Sequence, residues 1–367
     1  LEEGAAPDAD EPPNDHCRAA VLMDVATGTV LYEYNSKVSN PPASMTKMMT
    51  AMIAMKLVQE GKLTLDDMVP TSADASKIGG SQVYLKHGEE FPLRDMLKAI
   101  MISSANDAAY AVAEYIGGSI SGFLDLMNHE AASLGMKHTI FRSVHGLPTD
   151  SQHEEDSTTA LDMALLGRAI IQQTPDVLEY SSIQQARFRD GTFVMDNVNK
   201  MLKKFRGMDG IKTGYFRRAG FCITATAERD GERYLAVVMG CQKSTYRFNE
   251  VARLLNMGFN LFEHRELAKK GADFPATVPV ADGGVEEVGL MFGSDLTVIL
   301  KRYDMAGVEM TESLPAEPLQ APISAGTVVG EVTFSLAGRN LGTVPLQTAA
   351  DVAELGFFQK IGRALGF

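Results

Sequence analysis

The sequence predicts an α+β chain: a mixed helical and β domain, then a small all-β domain, then a helical tail. Three observations predict it. At 367 residues the chain suits two domains rather than one. Up to about residue 270, β-rich hairpins alternate with apolar runs of helical length. From about Gly271 the pattern changes to short β-runs spaced by Gly and Pro, with no strong helical stretch. The expected boundaries are a mobile N-terminus over 1–15, a mixed domain over 16–270, a β-sandwich-like domain over 271–348 and an amphipathic helix over 349–367.

Composition narrows the function classes. Hydrophobic residues make up 45% and Trp is absent, the balance of an ordinary packed core. A formal net charge of -13 argues against a nucleic-acid partner, which wants basic stripes. Peptide and glycan substrates stay open. The three cysteines, Cys17, Cys222 and Cys241, are too few for a disulfide scaffold. Cys222 and Cys241 flank a hairpin turn at Asp230-Gly231. A two-residue turn sets Cys222 opposite Met239 and Cys241 only diagonal to it, too far for an easy bridge. Cysteine usage therefore leaves the compartment open. No apolar run is long enough to span a bilayer. The chain begins Leu1-Glu2-Glu3-Gly4, acidic and Pro-rich through Pro13, without a signal peptide. That fits a cytosolic protein or a mature form whose leader is gone. His145 and His153 lack the carboxylates or cysteines that would complete a metal site, so both are expected to hydrogen-bond within loops, with no metal or cofactor.

Taken in order, two β-runs flank Ala26-Thr27-Gly28, giving a hairpin over 19–34. Pro41-Pro42 ends the extended approach to a run from Ser44 to about Gln59 that is apolar almost all round, a buried helix. Gly79 to Phe91 reads as turn, short strand and turn. Leu93 to Gly117 is helical but interrupted at Ser103-Ser104-Ala105-Asn106-Asp107. Helices follow at 119–134, with serines to cap it, and from Thr158 to Ile171. Asp209-Gly210-Ile211-Lys212-Thr213-Gly214 leads into β-runs at 220–227 and 234–240, and Arg247 to Phe262 closes the domain as a helix. The later β-runs fall at 285–292, 296–300, 308–311, 327–335 and 342–346. The tail places Leu355, Phe357, Phe358, Ile361 and Leu365 on one side and Gln359, Lys360 and Arg363 on the other, with Asp351 and Glu354 at its start. Docking on the β-domain is the plain expectation; entry of the apolar face into a lipid headgroup region is the one favoured here.

The chemistry starts at Ala43-Ser44-Met45-Thr46-Lys47. Residues three apart share a helix face, so Ser44 Oγ and Lys47 Nζ can meet. Alone, Ser-x-x-Lys is most often an N-cap serine with a solvated lysine. At the N-terminus of a buried helix, however, the dipole and free N–H groups help stabilise a developing oxyanion. Ser104 and Asn106 interrupt an apolar helix; a hydroxyl can relay protons and an amide can orient an amine and a carbonyl. Lys212-Thr213-Gly214 heads a β-hairpin, and a glycine there lets a ligand backbone approach the strand edge.

Together, Ser-x-x-Lys, Ser-x-Asn and Lys-Thr-Gly form the triplet of serine acyl-transfer enzymes that react with penicillin. The chain resembles the low-molecular-mass penicillin-binding proteins that act as D-alanyl-D-alanine carboxypeptidases, over nearly its whole length. Pro41-Pro42, Asp209-Gly210-Ile211 and Thr159-Ala160-Leu161-Asp162-Met163-Ala164 also look like family segments. The resemblance implies a penicillin-binding/β-lactamase-like transpeptidase fold, an antiparallel sheet with a helical cluster. It implies that Ser44 attacks the carbonyl of the penultimate D-alanine while a neutral Lys47 takes its proton. Ser104 would pass the proton to the leaving amine, and Asn106 would hold the lysine and the substrate amide. The backbone N–H groups of Ser44 and Tyr215 would form the oxyanion hole. Lys212 and Thr213 would bind the terminal carboxylate beside Gly214, with Arg247 as a second, two-point anchor. The implied partners are a peptidoglycan stem peptide ending D-Ala-D-Ala, β-lactams and, through the tail, a membrane surface. The implied location is the periplasmic face of a cytoplasmic membrane. Tyr215-Phe216 departs from the His or Thr, then Thr, common in the family, and a larger ring there would alter entry to the pocket.

Three rival readings stand beside this one. A class A β-lactamase needs a glutamate in a Glu-x-x-Leu-Asn setting, and none stands between Asn106 and Lys212. A DD-endopeptidase on crosslinked peptides shares the whole triplet. A catalytically inert peptidoglycan-binding scaffold would not need the triplet complete.

Overall fold

The computed structural model describes residues 16–148 and 155–356. It divides into two compact units at Asn260/Leu261, ten residues before the boundary the sequence suggests.

In the first unit, β1 (Ala19–Asp24) is buried at every position, so it must be an inner strand. It pairs with β2 (Val30–Tyr34) as the expected hairpin. A 3-10 turn over Ala43–Thr46 passes directly into α1 (Lys47–Gln59). The unbranched, adaptable side chains of Met45, Met48, Met49, Met52 and Met55 are all buried and fill the core around α1. A short pair, β3 (Met68–Pro70) and β4 (Glu90–Pro92), precedes α2 (Leu93–Ile102) and α3 (Asn106–Gly117). The helical stretch thus breaks at Ser103–Ala105, where the sequence interrupts it. Ser119 caps α4 (Ile120–Ser133) by accepting from Gly122 N–H, and Thr159 caps α5 (Ala160–Gln173) by accepting from Asp162 N–H. After α6 (Val177–Ser181) and a small hairpin of β5 (Gln185–Phe188) and β6 (Phe193–Asp196) come β7 (Met208–Phe216), β8 (Gly220–Arg229), β9 (Glu232–Cys241) and α7 (Ser244–Leu261). The main sheet is antiparallel in the order β2-β1-β9-β8-β7. One edge is therefore β7, the strand that carries Lys212-Thr213-Gly214.

The cysteine expectation needs correction. Cys17 forms a disulfide with Cys241, and Cys222 is a free buried thiol. Hairpin register relates only Cys222 to Cys241, whereas the actual partner of Cys241 lies before β1. The main-chain bond from Arg18 N–H to the Met239 carbonyl, 2.9 Å, brings the residue before β1 alongside the end of β9. No local pattern marks a contact 224 residues apart.

The second unit is all β, as expected. It has a sheet in the order β14-β16-β17-β12-β11-β15 and a separate pair of β10 (Phe262–Ala268) with β13 (Leu296–Lys301). The other strands are β11 (Asp273–Ala281), β12 (Glu287–Phe292), β14 (Val308–Ser313), β15 (Leu319–Gln320), β16 (Val328–Leu336) and β17 (Arg339–Thr348). Phe274, Leu290, Val332, Phe334, Val344 and Leu346 form its core. The sequence reading missed β10 because Glu263-His264-Arg265-Glu266 is a charged run, yet ladder pairing to β13 satisfies its backbone.

The helix expected from residue 349 does not begin there. Val352 bridges Ile323 and Glu354 bridges Gly283, and Asp351 accepts from the Ala325 N–H at 2.7 Å. Val352 is buried among Val280, Val288, Ala321 and Ile323. An extended chain buries that side chain and pairs its backbone together. The rest of the expected helix, 357–367, lies outside the described residues, as do most of the expected mobile N-terminus and His153. Among the described residues no helix is long and apolar enough to cross a membrane.

Candidate active site

The site is built on the turn that precedes α1. Ala43 takes a left-handed conformation, φ 50°, which directs the following residues into the 3-10 turn. Two glycines let other segments close on that turn. A Cβ at Gly146 would collide with the Ala43 carbonyl, and one at Gly214 would lie 2.5 Å from the Pro42 carbonyl oxygen and 3.1 Å from Ser44 N. Only glycine allows β7 and the 141–148 segment to approach the serine's backbone so closely.

Ser44 Oγ and Lys47 Nζ are 2.9 Å apart. Nζ also donates to the His145 carbonyl at 2.7 Å. Lys47 is fully buried, and burial holds its amine well below the usual lysine range. The Lys212 charge pushes it the same way, while Asp156 and Asp107 oppose. A buried amine that favours its neutral form, within reach of a hydroxyl, is a base beside its nucleophile.

Asp156 holds this wall together. Its carboxylate accepts from Thr46 Oγ1 at 2.6 Å, from the Arg142 and Ser143 N–H groups at 2.8 Å each, and from Ser143 Oγ at 3.0 Å. Burial raises its pKa, against the pull of those hydrogen bonds. His145 is used as the sequence suggests, for loop hydrogen bonding: Nδ1 accepts from Leu147 N–H at 3.2 Å. Burial and then Lys47 lower its pKa to about 3, which keeps the ring neutral. No cluster of His, Cys, Asp and Glu able to hold a metal occurs among the described residues.

Ser104, Ala105 and Asn106 form the turn between α2 and α3. Ser104 is buried with φ 60°. Asn106 is anchored by its own N–H to the Ser81 carbonyl and by Nδ2 to the Gly79 carbonyl, both 2.7 Å. Asp107 fixes the facing segment by accepting from the Val83, Leu85 and Ala108 N–H groups. Asn106 Oδ1 is buried with no hydrogen-bond partner among the described residues. A buried acceptor left open costs free energy, so it points to a donor that a ligand supplies. No direct hydrogen bond joins Ser104 or Asn106 to Lys47 among the described residues; the coupling to that segment is electrostatic, through Asp107.

On β7, Lys212 is buried, and Nζ reaches the Thr213 carbonyl at 3.2 Å. Burial first, and then Arg247, lower its pKa to about 7. Arg247, from α7, is buried and donates through one terminal nitrogen to the Gly214 and Cys222 carbonyls, 3.1 Å each. Its Nε is buried without a partner. Burial lowers its pKa to about 10, so it stays charged at neutral pH. The guanidinium sits 5.3 Å from the Phe221 ring centre and 4.6 Å from that of Phe248. One terminal nitrogen thus holds the strand, the other meets Ser244 Oγ at 3.4 Å, and Nε stays open. Tyr215 is half exposed and stacks on Phe221, 4.1 Å between centroids.

The structure brings Ser44, Lys47, Gly214, Lys212 and Arg247 into one connected array, with Thr213 and Tyr215 on the same edge strand. Sequence reasoning missed Asp156, the His145 carbonyl, Asp107, and Gly146 as a close-approach site. Only Asp107, adjacent to Asn106, stood near a motif.

Comparison with known proteins accords with this geometry. Residues 6–243 match the family described as peptidase S11, D-alanyl-D-alanine carboxypeptidase, and residues 262–354 match the penicillin-binding protein 5 C-terminal domain. D-alanyl-D-alanine carboxypeptidase DacC of Escherichia coli (strain K12) is 36% identical over 364 residues, 97% of this chain and 89% of that relative. DacF of Bacillus subtilis (strain 168) is 32% identical over 352 residues, 95% of this chain and 89% of its own. The crystal structure of penicillin binding protein 5 from Haemophilus influenzae matches with a TM-score of 0.78 at 30% identity, covering 94% of this chain and 99% of that one. Penicillin-Binding Protein D2 from Listeria monocytogenes, in its ampicillin-bound form, matches with a TM-score of 0.63 at 30% identity, covering 68% of this chain and all of that one. With the serine and its buried amine in place and a family match over most of its length, the chain belongs to the serine-type D-alanyl-D-alanine carboxypeptidases of the peptidase S11 family.

Proposed function

We propose that this protein removes the terminal D-alanine from peptidoglycan stem peptides through an acyl-enzyme on Ser44. The observation that carries the proposal is the 2.9 Å pairing of Ser44 Oγ with a buried lysine amine whose neutral form is favoured. Lys47 takes the Ser44 proton as Oγ bonds to the penultimate carbonyl carbon. The C–N bond to the terminal D-alanine then breaks, and that amine leaves with a proton relayed by Ser104. Water cleaves the ester and restores Ser44. The backbone N–H groups of Ser44 and Tyr215 hold the oxyanion, each worth roughly 10² to 10³ in rate. The open Oδ1 of Asn106 accepts from the substrate amide or from Lys47. Lys212 and Thr213 bind the terminal carboxylate on the β7 edge. Arg247 supplies positive charge behind them.

A crosslinked peptide presents the same D-Ala-D-X bond, so endopeptidase work on dimers is the second reading. The open β7 edge supports it, because it can take an extended acyl strand. The family's relatives crystallised with ampicillin and cefotaxime support reaction with β-lactams. The Cys17–Cys241 disulfide supports an oxidising compartment, in keeping with the periplasm. Phe357, Phe358, Ile361, Leu365 and Phe367, interleaved with Lys360 and Arg363, support attachment to a membrane surface. Deleting 357–367 should release the protein from anionic vesicles; absence of binding by the intact chain would refute that part.

The test of activity is D-alanine release from a pentapeptide ending D-Ala-D-Ala, run beside a crosslinked dimer and labelled penicillin. Ser44→Ala should lower release by roughly 10⁴-fold or more and abolish labelling. Labelling that survives Ser44→Ala would overturn the nucleophile.

A further inference from the structure

A cavity of about 390 Å³ opens beyond the C-terminal end of β7, with His16, Arg18, Tyr215, Arg217, Phe221 and Gln242 among its walls. Among the described residues no carboxylate lines it, in a chain whose net charge is -13. The next residue, Arg218, has Glu155 as a partner at 3.4 Å. Arg217 is exposed and has no hydrogen bond or ion pair among the described residues.

The opposite wall is built rather than incidental. The disulfide joins Cys17 to Cys241. Arg18 N–H donates to the Met239 carbonyl and Gln242 N–H to the His16 carbonyl, both at 2.9 Å. His16 stacks on Tyr246 at 4.1 Å. Gly240 has φ 71°, and a Cβ there would lie 2.6 Å from the Arg18 side chain, so glycine makes room for that side chain. Arg18 then donates to the Arg218 carbonyl at 3.0 Å, tying the two walls together.

The cavity shares Tyr215 and Phe221 with the site around Ser44. A peptide whose C-terminal carboxylate lies at Lys212 and Thr213, with its scissile carbonyl at Ser44, runs antiparallel to β7. Its upstream residues then pass Tyr215 toward Arg217. Four strand residues span about 13 Å, the reach of the residues just before the D-alanine pair. Those stem residues carry carboxylates or, when capped, carboxamides.

We propose that this cavity is an anion subsite that receives a carboxylate from the stem residues upstream of the D-alanine pair, through Arg217 and Arg18. The inference rests on the proposed peptidase reading. It gives the protein a preference between acid and amidated stem peptides.

The test compares kcat/KM of the full chain for D-alanine release from one synthetic pentapeptide in two forms, upstream carboxylates free or converted to carboxamides. The readout is the acid-to-amide ratio, which general damage to the fold would not move. The ratio should be about five to ten in the native chain, the gain of one charge-assisted contact at a solvated site. It should fade as NaCl is raised from about 0.05 to about 0.5 M. Arg217→Lys should keep a preference for the acid, and Arg217→Glu should invert it. Equal turnover of both forms by the native chain, or a ratio unmoved by Arg217→Glu, overturns the subsite while leaving the peptidase reading intact. Release from neither form overturns both.

Discussion

The two walls of the site bury a lysine each, and they treat it differently. Around Lys47, burial first and then the charge of Lys212 across the site lower its pKa, while Asp156 and Asp107 on its own side pull it back. Around Lys212, the strand wall supplies only burial and Arg247. One wall is electrostatically closed before substrate arrives. The other has no anion beside its lysine among the described residues, the place that the proposed function gives to a substrate carboxylate. In the proposed function the difference separates their work: the closed wall favours a neutral base, and the open wall is left to bind.

Three substitutions test that contrast. The largest effect is expected for Lys47→Ala, which removes the base but leaves the Asp156 hydrogen bonds. Acylation by labelled penicillin should fall by roughly 10³-fold or more; a loss under tenfold would assign the base elsewhere. Lys212→Met should lower kcat/KM for the pentapeptide by roughly 10²-fold, mostly through KM. The same substitution removes a buried cation with no acid beside it among the described residues, so urea unfolding should show stability unchanged or raised. A clear destabilisation would mean that Lys212 is already paired. The smallest effect is expected for Asn106→Ala, about tenfold in kcat/KM with the terminal-carboxylate contacts intact. A change in penicillin labelling without any change in peptide turnover would place Oδ1 on Lys47 rather than on the substrate.

The pH profile follows from the same contrast. Lys47 must lose its proton to act, so kcat/KM rises as pH climbs through its lowered pKa. Lys212 must keep its proton to bind a carboxylate, so in the free protein kcat/KM falls as pH passes about 7. Bound carboxylate favours charged Lys212, and the alkaline limb of kcat should lie above that of kcat/KM.

Much of the site was legible because its chemistry resides in residue type. Ser44, Lys47, Ser104, Asn106 and Lys212 announce themselves by function and spacing. What was not legible is carried by backbone and burial. The His145 carbonyl has no sequence signature, since every residue has one. Asp156 looks like any acid in a polar loop until its hydroxyl and N–H donors fold around it. Gly146 matters for the side chain it lacks. Arg247 was identified as a cation, but its use on the strand carbonyls depends on where α7 packs. In the fold, β10 hid behind charged residues because pairing to β13, not apolar alternation, makes it a strand. The stretch at 349–356 carries a helical pattern, yet Val352 finds a buried place and extended partners. The Cys17–Cys241 bridge joins positions that no local periodicity relates.

The most direct test of the account is the pH dependence of Ser44 acylation by a labelled β-lactam, in the native chain and in Lys212→Met. The claim is that Lys47 acts as a neutral base and that the Lys212 charge helps to keep it so. With that charge gone, burial alone depresses Lys47, and the acidic limb of the acylation rate should move to higher pH. An acidic limb at the same pH in both proteins would contradict the coupling of the two walls. Acylation independent of pH across the acid range would contradict Lys47 as the base.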